Sequence, residues 1–288
     1  MPEPDHVVSR QGVRSPRILY GTAWKKLRTE GLVSQALASG FRGIDTACQP
    51  KHYNEAGVGA AVAASVRSGL ERAELYLQTK FTPLSGQDPK QVPYDPDAPL
   101  AEQVAQSIEV SLRNLQTDYL DCLVLHSPLR DMRDTEQVWQ AMQASCASGT
   151  VRQLGISNCY DLAVLKHLHG WAGVKPAVVQ NRFYADMDYD VDIRAFCREH
   201  GIVYQSFWTL TANPHVLGHE QTVRLATKYH VTPAQVLFRY LTGIDIVPLS
   251  GTTSQVHMRE DLAIFDFALT EAERDSLGVL FAASGAPS

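Results

Sequence analysis

Several features that would assign this chain to a large functional class are missing from its sequence. Its 288 residues carry a formal net charge of −5, without the excess of Lys and Arg that binds nucleic-acid phosphates. No stretch approaches the roughly 18 consecutive apolar residues of a membrane span. Residues Met1 to Arg10 lack the apolar run of a signal peptide. We therefore expect a cytoplasmic protein that binds neither nucleic acid nor membranes; the sequence carries no signature of an oligomeric state.

The chain also lacks paired cysteines. Its five cysteines are odd in number, and no two are close in sequence. Disulfide frameworks and structural zinc sites need cysteines in pairs at short or repeated spacings. The sequence therefore predicts a reduced protein without a metal site. The residues concerned are Cys48, Cys122, Cys146, Cys159 and Cys197.

Glycine-rich phosphate-binding turns are absent as well. A dinucleotide-binding Rossmann domain would show Gly-x-Gly-x-x-Gly between a strand and a helix near the N-terminus, and no such turn occurs. Gly57-Val58-Gly59 lies inside a helical pattern instead, and there is no P-loop. Any nucleotide must therefore be bound by another kind of fold.

Short apolar or β-branched runs recur along the chain, each followed by an amphipathic segment. Leu123–Leu125 and Ala177–Val179 are continuous apolar runs, as expected of parallel strands that are covered on both faces. The predicted strands are Ile18–Gly21, Gly43–Asp45, Leu75–Thr79, Leu120–His126, Gln153–Ser157, Ala177–Gln180, Ile202–Ser206 and Ile244–Leu249.

Helical patterns fill the segments between these strands. In one of them, Val104, Ile108 and Leu112 are spaced by four, so that they share one helix face. Strands that alternate with helices, with no linker rich in Pro, Gly or Ser, predict a single (β/α)8 TIM-barrel domain over residues 1–288. The predicted helices are Glu55–Val66, Leu100–Asn114, Glu136–Ala147, Asp161–His169, Val191–His200, Glu220–His230, Pro233–Thr242 and Thr270–Phe281.

One long segment, Phe81–Pro99, contains too many prolines for a helix and follows the third predicted strand. Loops at that end of a barrel carry function. The tail Ala282–Ser288 is short for covering a pocket. We therefore expect substrate specificity to depend on Phe81–Pro99 and Trp208–His219 rather than on the tail.

Polar residues stand at the ends of the predicted strands. Because these ends converge at one mouth of a closed barrel, their side chains are expected to meet there and to perturb each other's pKa values. Taken singly, each has an ordinary alternative, such as a solvated lysine, a core histidine or turn-forming Ser and Asn. The residues are Asp45, Lys80, His126, Ser157, Asn158 and Gln180.

These residues lie in segments that together resemble the aldo-keto reductase family. The resemblance spans about residues 18–270 in the family's order. It is carried by Gly21-Thr22-Ala23-Trp24, Gly43-Ile44-Asp45-Thr46-Ala47, Tyr53-Asn54-Glu55 with Val58-Gly59, Gln78-Thr79-Lys80, Leu123-Val124-Leu125-His126, Leu154-Gly155-Ile156-Ser157-Asn158, Gln180-Asn181 and Val247-Pro248 to Glu260-Asp261-Leu262.

The resemblance implies a catalytic tetrad of Asp45, Tyr53, Lys80 and His126. Hydride transfer to a carbonyl leaves an alkoxide that must be protonated. Tyr53 is the implied acid, and Lys80, held by Asp45, is expected to lower its pKa. His126 is expected to donate to the carbonyl oxygen. The implied activity is NAD(P)H-dependent reduction of an aldehyde or ketone, with a small carbonyl compound as the partner.

The resemblance also implies a cofactor site. Ser157, Asn158 and Gln180 would bind the carboxamide, and Phe207 would stack on the nicotinamide. The segment after Pro248 has hydroxyls, a glycine and a following helix N-terminus, which can hold a phosphate. With no acidic residue from Ser250 to Met258, the expected cofactor is NADPH, NADH remaining possible. The further candidates are Ser250, Thr252, Thr253, Arg259 and Asp261 for the cofactor, and Trp24, Tyr94, Leu129 and Trp208 for an apolar substrate pocket.

The chain departs from the family pattern in three places. The family's usual Tyr position is His52 here, so Tyr53 is shifted by one residue and His52 is the alternative acid. Trp208 competes with Phe207 as the stacking residue. The family's phosphate-binding Lys and helical Arg correspond to Leu249 and His257.

Two other functions remain open. A TIM barrel with a strand-end lysine can act as a Schiff-base lyase, although this leaves the Ser, Asn and Gln positions unexplained. The shifted tyrosine also allows a catalytically weak, cofactor-binding regulatory barrel.

Overall fold

The strands of this computed structural model, which describes residues 6–282, form a closed parallel barrel preceded by a short antiparallel hairpin. Strands β3 to β10 follow each other around the barrel in chain order, and β10 pairs with β3 to close it. The strands are β1 His6–Val8, β2 Arg14–Pro16, β3 Leu19–Gly21, β4 Gly43–Asp45, β5 Tyr76–Phe81, β6 Cys122–Leu125, β7 Leu154–Ser157, β8 Val178–Arg182, β9 Val203–Phe207 and β10 Ile246–Ser250.

Helices cover the outside of the barrel, and the main core lies between them and the strands. This arrangement confirms the (β/α)8 fold expected from the sequence. The helices are α1 Thr29–Ser39, α2 Glu55–Arg67, α3 Leu100–Leu115, α4 Met132–Ala147, α5 Leu162–Trp171, α6 Val191–His200, α7 Pro214–Leu217, α8 Glu220–Tyr229, α9 Pro233–Gly243, α10 Gln255–Leu262 and α11 Glu271–Ala282.

The barrel interior changes from apolar to polar along the strands. Alternate residues of a strand point to the same side, so Tyr76, Gln78 and Lys80 of β5 share its inner face. Tyr76 belongs to an apolar cluster with Val178 and other strand residues, whereas Gln78 hydrogen-bonds across the barrel to Gln205. A polar layer therefore rests on an apolar plug, at the end where the strands finish.

Several boundaries differ from the sequence-based prediction. The third barrel strand continues to Phe81, so Lys80 lies inside β5 instead of following it, and its side chain enters the barrel. The hairpin β1–β2 was not predicted, because its three-residue strands show no alternation and, unlike Gly43–Asp45, belong to no recognised motif. Helix α1 was also missed, because Gly31 interrupts its pattern and no side chain caps its start. The predicted tail, Ala282–Ser288, lies outside the described residues beyond the backbone of Ala282.

Helix α2 is held unusually close to α3, and this packing positions the loop before it. A Cβ on Gly59 would lie 2.0 Å from the carbonyl oxygen of Asn114, so only glycine permits the contact. At the start of α2, the buried Glu55 accepts hydrogen bonds from Thr79 (2.6 Å) and Ser111 (2.8 Å). The segment immediately before Glu55 is thereby anchored to β5 and α3.

Within residues 6–282, no helix has the length and apolar character needed to cross a bilayer. The same residues contain no group of three or more His, Cys, Asp or Glu side chains placed to hold a metal ion. All five cysteines are free.

Candidate active site

A buried ion pair lies at the centre of the barrel end. The Lys80 ammonium is 2.7 Å from each carboxylate oxygen of Asp45 and 2.8 Å from the carbonyl oxygen of Thr46. Lys80 is 1% exposed and Asp45 is 3% exposed. Because all three ammonium donors are used, Lys80 has no free amine for a Schiff base, which argues against the lyase alternative.

Amide side chains complete a network around this pair, and we call Asp45, Gln78, Lys80, Gln180 and Gln205 the inner polar layer. Gln78 and Gln180 each donate to the Oδ1 atom of Asp45, at 2.7 and 2.9 Å, and both donate to the Oε1 atom of Gln205. These buried charges and amides therefore have hydrogen-bond partners, which holds the ion pair in one geometry.

The loop that carries Tyr53 folds back over the ion pair. The backbone of Cys48 forms an isolated parallel β-bridge with Phe81. The side chain of Gln49 donates to the carbonyl oxygen of Gly86 at 2.6 Å. The backbone N–H groups of His52 and Tyr53 both donate to the carbonyl oxygen of Gln49. This tight turn accommodates the longer connection, so the shifted tyrosine still points into the barrel end.

Tyr53 packs against two other members of the predicted tetrad. Its ring centroid is 5.3 Å from the Lys80 ammonium and 6.0 Å from the His126 ring centroid. The neighbouring His52 turns away and stacks on Trp24, with 3.8 Å between ring centroids. Of the two candidate acids, Tyr53 therefore lies beside the lysine and His126, whereas His52 lies on the indole.

Burial raises the pKa of Tyr53 well above its ordinary value, and the nearby carboxylate of Asp45 adds to this. This direction is opposite to the lowering expected from Lys80, because burial of the phenol outweighs the charge of the lysine, which Asp45 offsets in part. Tyr53 is therefore a protonated phenol at neutral pH.

His126 is neutral and held at both ends. Burial lowers its pKa to about 3, with Lys80 and His52 contributing. Its Nδ1 atom lies 2.6 Å from the Thr82 hydroxyl, and Asn158 donates to its carbonyl oxygen at 2.8 Å. When the hydroxyl donates to Nδ1, the ring proton is on Nε2, which is then the donor available to a ligand.

The wall next to His126 is formed by the ends of β7 and β8. The Ser157 hydroxyl donates to the carbonyl oxygen of Gln180 at 2.6 Å, and Asn158 accepts from the Tyr160 hydroxyl. The Nε2 atom of Gln180 is directed into the inner polar layer. Among the described residues its Oε1 atom has no partner, and Gln180 lines the cavity, so that oxygen can accept from a ligand.

Aromatic side chains and an arginine form the next wall. Arg182 and Phe207 are paired in register on β8 and β9, and Trp208 follows directly. The guanidinium carbon of Arg182 is 4.1 Å from the Trp208 ring centroid and 5.0 Å from that of Tyr184. Phe207 is half-buried, whereas Trp208 is 49% exposed.

Three non-glycine residues on this cavity have left-handed backbone conformations. They are Trp24 (φ 64°), Asn158 (φ 51°) and Trp208 (φ 57°), and each lies shortly after a barrel strand. Such residues cost free energy and tend to cluster at functional sites. The strained backbone fixes the positions of these three side chains around the cavity, as expected at a ligand-binding site.

A buried lysine that does not itself line the cavity lies beside the segment after β10, of which Gly251 and Thr252 do line it. The Lys25 ammonium donates to the carbonyl oxygen of Gly251 at 2.8 Å and lies 5.0 Å from the Tyr20 ring centroid. Burial lowers the pKa of Lys25 to about 8, and the charge of Arg28 acts in the same direction. It has no carboxylate partner among the described residues.

These walls enclose one cavity of about 610 Å³ at the carboxyl ends of the strands. The cavity brings together most of the predicted site residues, while Lys80 lies behind Asp45. The predicted residues on it are Trp24, Asp45, Tyr53, His126, Ser157, Asn158, Gln180, Phe207, Trp208 and Thr252.

Two residues predicted for the substrate pocket do not line this cavity. Tyr94 is buried against Phe81, and its hydroxyl donates to the carbonyl oxygen of Thr82 at 2.8 Å. Leu129 packs against the outer core, and its N–H donates to Thr135. Their side chains are used by the packing of the loops after β5 and β6.

Four residues predicted for the cofactor also lie off the cavity. The Ser250 hydroxyl donates to the Asp261 carboxylate at 2.6 Å, and both residues are buried. Burial raises the pKa of Asp261 to about 6. Thr253 is exposed, and Arg259 is exposed on a second, shallow depression with Glu260. The Ser250–Asp261 pair therefore fixes the segment after β10 internally.

Sequence reasoning missed several side chains that the structure places at the site, among them Gln205 of the inner polar layer. Lys25 directly follows the Trp24 motif and Arg182 lies two residues beyond Gln180, but neither position carries a pattern that marks a site residue in the sequence. Thr82 carried no signal, because its contact with His126 depends on the path of β5 beyond Lys80.

Comparisons with known proteins agree with this architecture. The model of the aldo/keto reductase family matches residues 21–222. The chain is 29% identical to a protein named glyoxal reductase from Bacillus subtilis (strain 168), over 86% of this chain and 82% of that protein. It is also 29% identical to a methylglyoxal reductase from Salmonella typhimurium, over 96% of this chain and 93% of the relative.

A solved structure is similar over nearly the whole length. The aldo/keto reductase from Brucella melitensis superposes with a TM-score of 0.80 at 27% identity, covering 96% of this chain and 98% of that one.

Proposed function

This chain belongs to the aldo/keto reductase family and is an oxidoreductase that reduces carbonyl compounds with a nicotinamide cofactor; from that premise, we propose that Tyr53 protonates the product, that NADPH is the preferred cofactor and that small aldehydes are the substrates. The observation that carries this proposal is the packing of Tyr53 between the Lys80 ammonium and the His126 ring at the bottom of the cavity.

Tyr53 acts as the acid in spite of its high pKa. An alkoxide that develops on the substrate is a stronger base than a phenolate, so proton transfer from a protonated tyrosine is downhill. The phenolate left behind would be stabilised by the Lys80 ammonium beside its ring. The ion pair of Asp45 with Lys80 keeps that ammonium in place.

His126 orients the carbonyl group. A neutral imidazole with its proton on Nε2 can donate to the carbonyl oxygen without adding a charge to the barrel end. A Thr82 hydroxyl that donates to Nδ1 favours this tautomer. Tyr53 and His126 together define where the carbonyl oxygen lies.

The residues of the cavity fit a nicotinamide dinucleotide. The half-buried ring of Phe207 offers a stacking face, and the Oε1 atom of Gln180 can accept from a carboxamide N–H. Arg182 and Lys25 supply positive charge without a carboxylate partner among residues 6–282. When bound, such a cofactor supplies the hydride, and the protein supplies position, the proton and exclusion of water.

The preference for NADPH is supported by the charges around the segment after β10. The Lys25 ammonium, the exposed His257 and the N-terminus of α10 are all positive or polar donors near Thr252. Asp261, a carboxylate on α10, is buried and accepts a hydrogen bond from Ser250, so it does not face a phosphate. A site of this kind favours the cofactor that carries the extra phosphate.

Small aldehydes, with dicarbonyl compounds such as methylglyoxal among them, are the proposed substrates. The two relatives described above are named for glyoxal and methylglyoxal. The space beside Tyr53 is bordered by Trp24, which is 57% exposed and gives an apolar, open entrance.

The test is cofactor oxidation over a panel of carbonyl compounds, run with NADPH and with NADH. We expect turnover of methylglyoxal and benzaldehyde, and a higher kcat/KM for NADPH than for NADH. A higher kcat/KM for NADH would overturn the cofactor assignment. Cofactor binding without turnover of any carbonyl would overturn the proposed function as a whole.

A further inference from the structure

Arg182 is a cation without a counter-ion on the wall of the active-site cavity. Its side chain is half-buried, its Nε atom is fully buried, and that atom has no hydrogen-bond partner within residues 6–282. Withdrawing a guanidinium from water costs free energy unless an anion or an acceptor compensates. The described part of the chain supplies neither.

Acidic residues nearby do not meet this need. Asp186 and Asp188 follow on the next turn and are exposed, and neither forms an ion pair with Arg182. The buried Asp190 accepts from Asn181 and from Tyr204, at 2.7 and 2.8 Å. Arg182 is therefore not part of a structural ion pair in the described chain.

Two aromatic rings hold the guanidinium in place. It stacks 4.1 Å from the Trp208 ring centroid and 5.0 Å from the Tyr184 ring centroid. Stacking orients the planar group while leaving N–H donors at its edge free for a bidentate contact. Trp208 adopts a left-handed backbone (φ 57°) to provide this surface, so the arrangement is kept at some conformational cost.

The position of Arg182 places it next to the reacting groups. It lies two residues beyond Gln180 on the inner face of β8 and pairs with Phe207 on β9. It is thus directly above the inner polar layer, in the same cavity as Tyr53 and His126. A ligand in that cavity would find the guanidinium within its reach.

We propose that Arg182, held between Trp208 and Tyr184, binds an oxyanion of the ligands in the cavity, either a carboxylate on the carbonyl substrate or a phosphate of the cofactor. A carboxylate is planar and a phosphate is tetrahedral, and a guanidinium contacts either of them with two N–H donors. This assignment rests on the proposed function, because it assumes that a carbonyl compound and a dinucleotide share the cavity.

The test compares Arg182→Gln with the wild-type protein, with Arg198→Gln on the exposed face of α6 as the matched control. Two quantities are measured: the NADPH dissociation constant by calorimetry, and kcat/KM for 4-carboxybenzaldehyde against benzaldehyde. Loss of a charged hydrogen-bond partner is expected to lower affinity about tenfold to a hundredfold.

The two sources of the oxyanion give different results, and either supports the proposal. With a substrate carboxylate, Arg182→Gln loses activity on 4-carboxybenzaldehyde alone, and NADPH affinity is unchanged. With a cofactor phosphate, the dissociation constant of NADPH rises and both aldehydes are affected alike. Arg182→Lys should show an intermediate loss, since it keeps the charge without the planar fork.

Unchanged NADPH affinity and an unchanged ratio of the two aldehydes, within about twofold of Arg198→Gln, would overturn the proposal. If the wild-type protein turned over neither aldehyde, the proposed function would fail instead. In that case the calorimetric binding of NADPH and of 4-carboxybenzaldehyde still tests Arg182 by itself. Thermal unfolding of each variant verifies that it is folded.

Discussion

The charges of the inner polar layer are paired with each other, whereas the charges at the rim of the cavity have no carboxylate partner among the described residues. In the inner polar layer, Asp45 and Lys80 neutralise each other, and Gln78 and Gln180 complete the hydrogen bonds. At the rim, which we define as Arg182, Trp208 and Thr252 of the cavity wall together with the buried Lys25 behind Gly251, both cations lack a carboxylate partner among residues 6–282. A buried ion pair whose two charges neutralise each other needs no ligand to be stable. A cation without a counter-ion can be neutralised by an anionic ligand.

This difference separates two tasks. Burial keeps the two groups above the inner polar layer uncharged, Tyr53 as a protonated phenol and His126 as a neutral imidazole; the Asp45 carboxylate acts in the same direction on Tyr53, and the Lys80 ammonium on His126. Under the proposed function, the rim binds ligands through charge and stacking. Substitutions in the inner polar layer should therefore affect folding and chemistry, while substitutions at the rim should affect binding.

The largest effect is expected from breaking the ion pair. Asp45→Asn leaves the buried Lys80 ammonium without its counter-charge, which should lower the free energy of unfolding by about 3–5 kcal/mol. Urea denaturation measures this. The double variant Asp45→Asn with Lys80→Met should recover part of the loss, because no charge then stays buried alone. A loss below about 1 kcal/mol in the single variant would show that the pair is not structurally important.

The next largest effect is on the chemical step. Tyr53→Phe should lower kcat by at least about a hundredfold, the scale of losing acid catalysis, with the NADPH dissociation constant unchanged. His52→Ala is the matched control, since His52 stacks on Trp24 and should change kcat only a few-fold. The opposite result, near-normal turnover in Tyr53→Phe and a large loss in His52→Ala, would reassign the acid.

The sequence predicted part of each region: Asp45, Lys80 and Gln180 in the inner polar layer, and Trp208 and Thr252 at the rim. Residues such as Asp45 and Gln180 stand at the ends of readable strands, and a closed barrel brings strand ends together. The role of Asp261 could not be read, because its contact with Ser250 depends on how α10 folds back onto β10. Tyr94 was assigned to the pocket because loops at that face carry function, but its hydroxyl satisfies a backbone carbonyl instead.

Rim residues are harder to predict for a physical reason. Arg182 looks like the surface arginine that follows a strand, and only the burial of its Nε atom distinguishes it. Lys25 was passed over because a lysine after a tryptophan has no periodic signal. Local patterns report which face a residue occupies, whereas the absence of a partner is a property of the whole fold.

A smaller effect is expected at Thr82, whose hydroxyl contacts the ring of His126. Thr82→Val removes the hydroxyl that lies 2.6 Å from the Nδ1 atom of His126 at nearly constant volume. Without it, the Nε2-protonated tautomer is less favoured, and kcat should fall about tenfold, the scale of one hydrogen bond. Thr82→Ser should restore activity, and nitrogen NMR of His126 should show the tautomer shift only in Thr82→Val. Equal activity of the valine and serine variants would exclude this role.

The smallest effect is a pH dependence of cofactor binding at Lys25. Burial lowers the pKa of this lysine to about 8, so it loses its proton just above neutral pH. A phosphate binds to the charged form, and its binding raises the pKa again; affinity is therefore greatest below about pH 8 and decreases as the pH rises through it. The NADPH dissociation constant should rise a few-fold between about pH 7 and about pH 9.5, and added salt should weaken the effect.

Lys25→Met should bind NADPH more weakly at pH 7 and lose this pH dependence, whereas Lys166→Met, on the outer helix α5, should behave like the wild-type protein. Parallel titrations with NADH show whether the extra phosphate or the shared pyrophosphate is the partner. A wild-type dissociation constant that is constant over this range would mean that Lys25 does not contact a phosphate, and that the rim holds the cofactor without it.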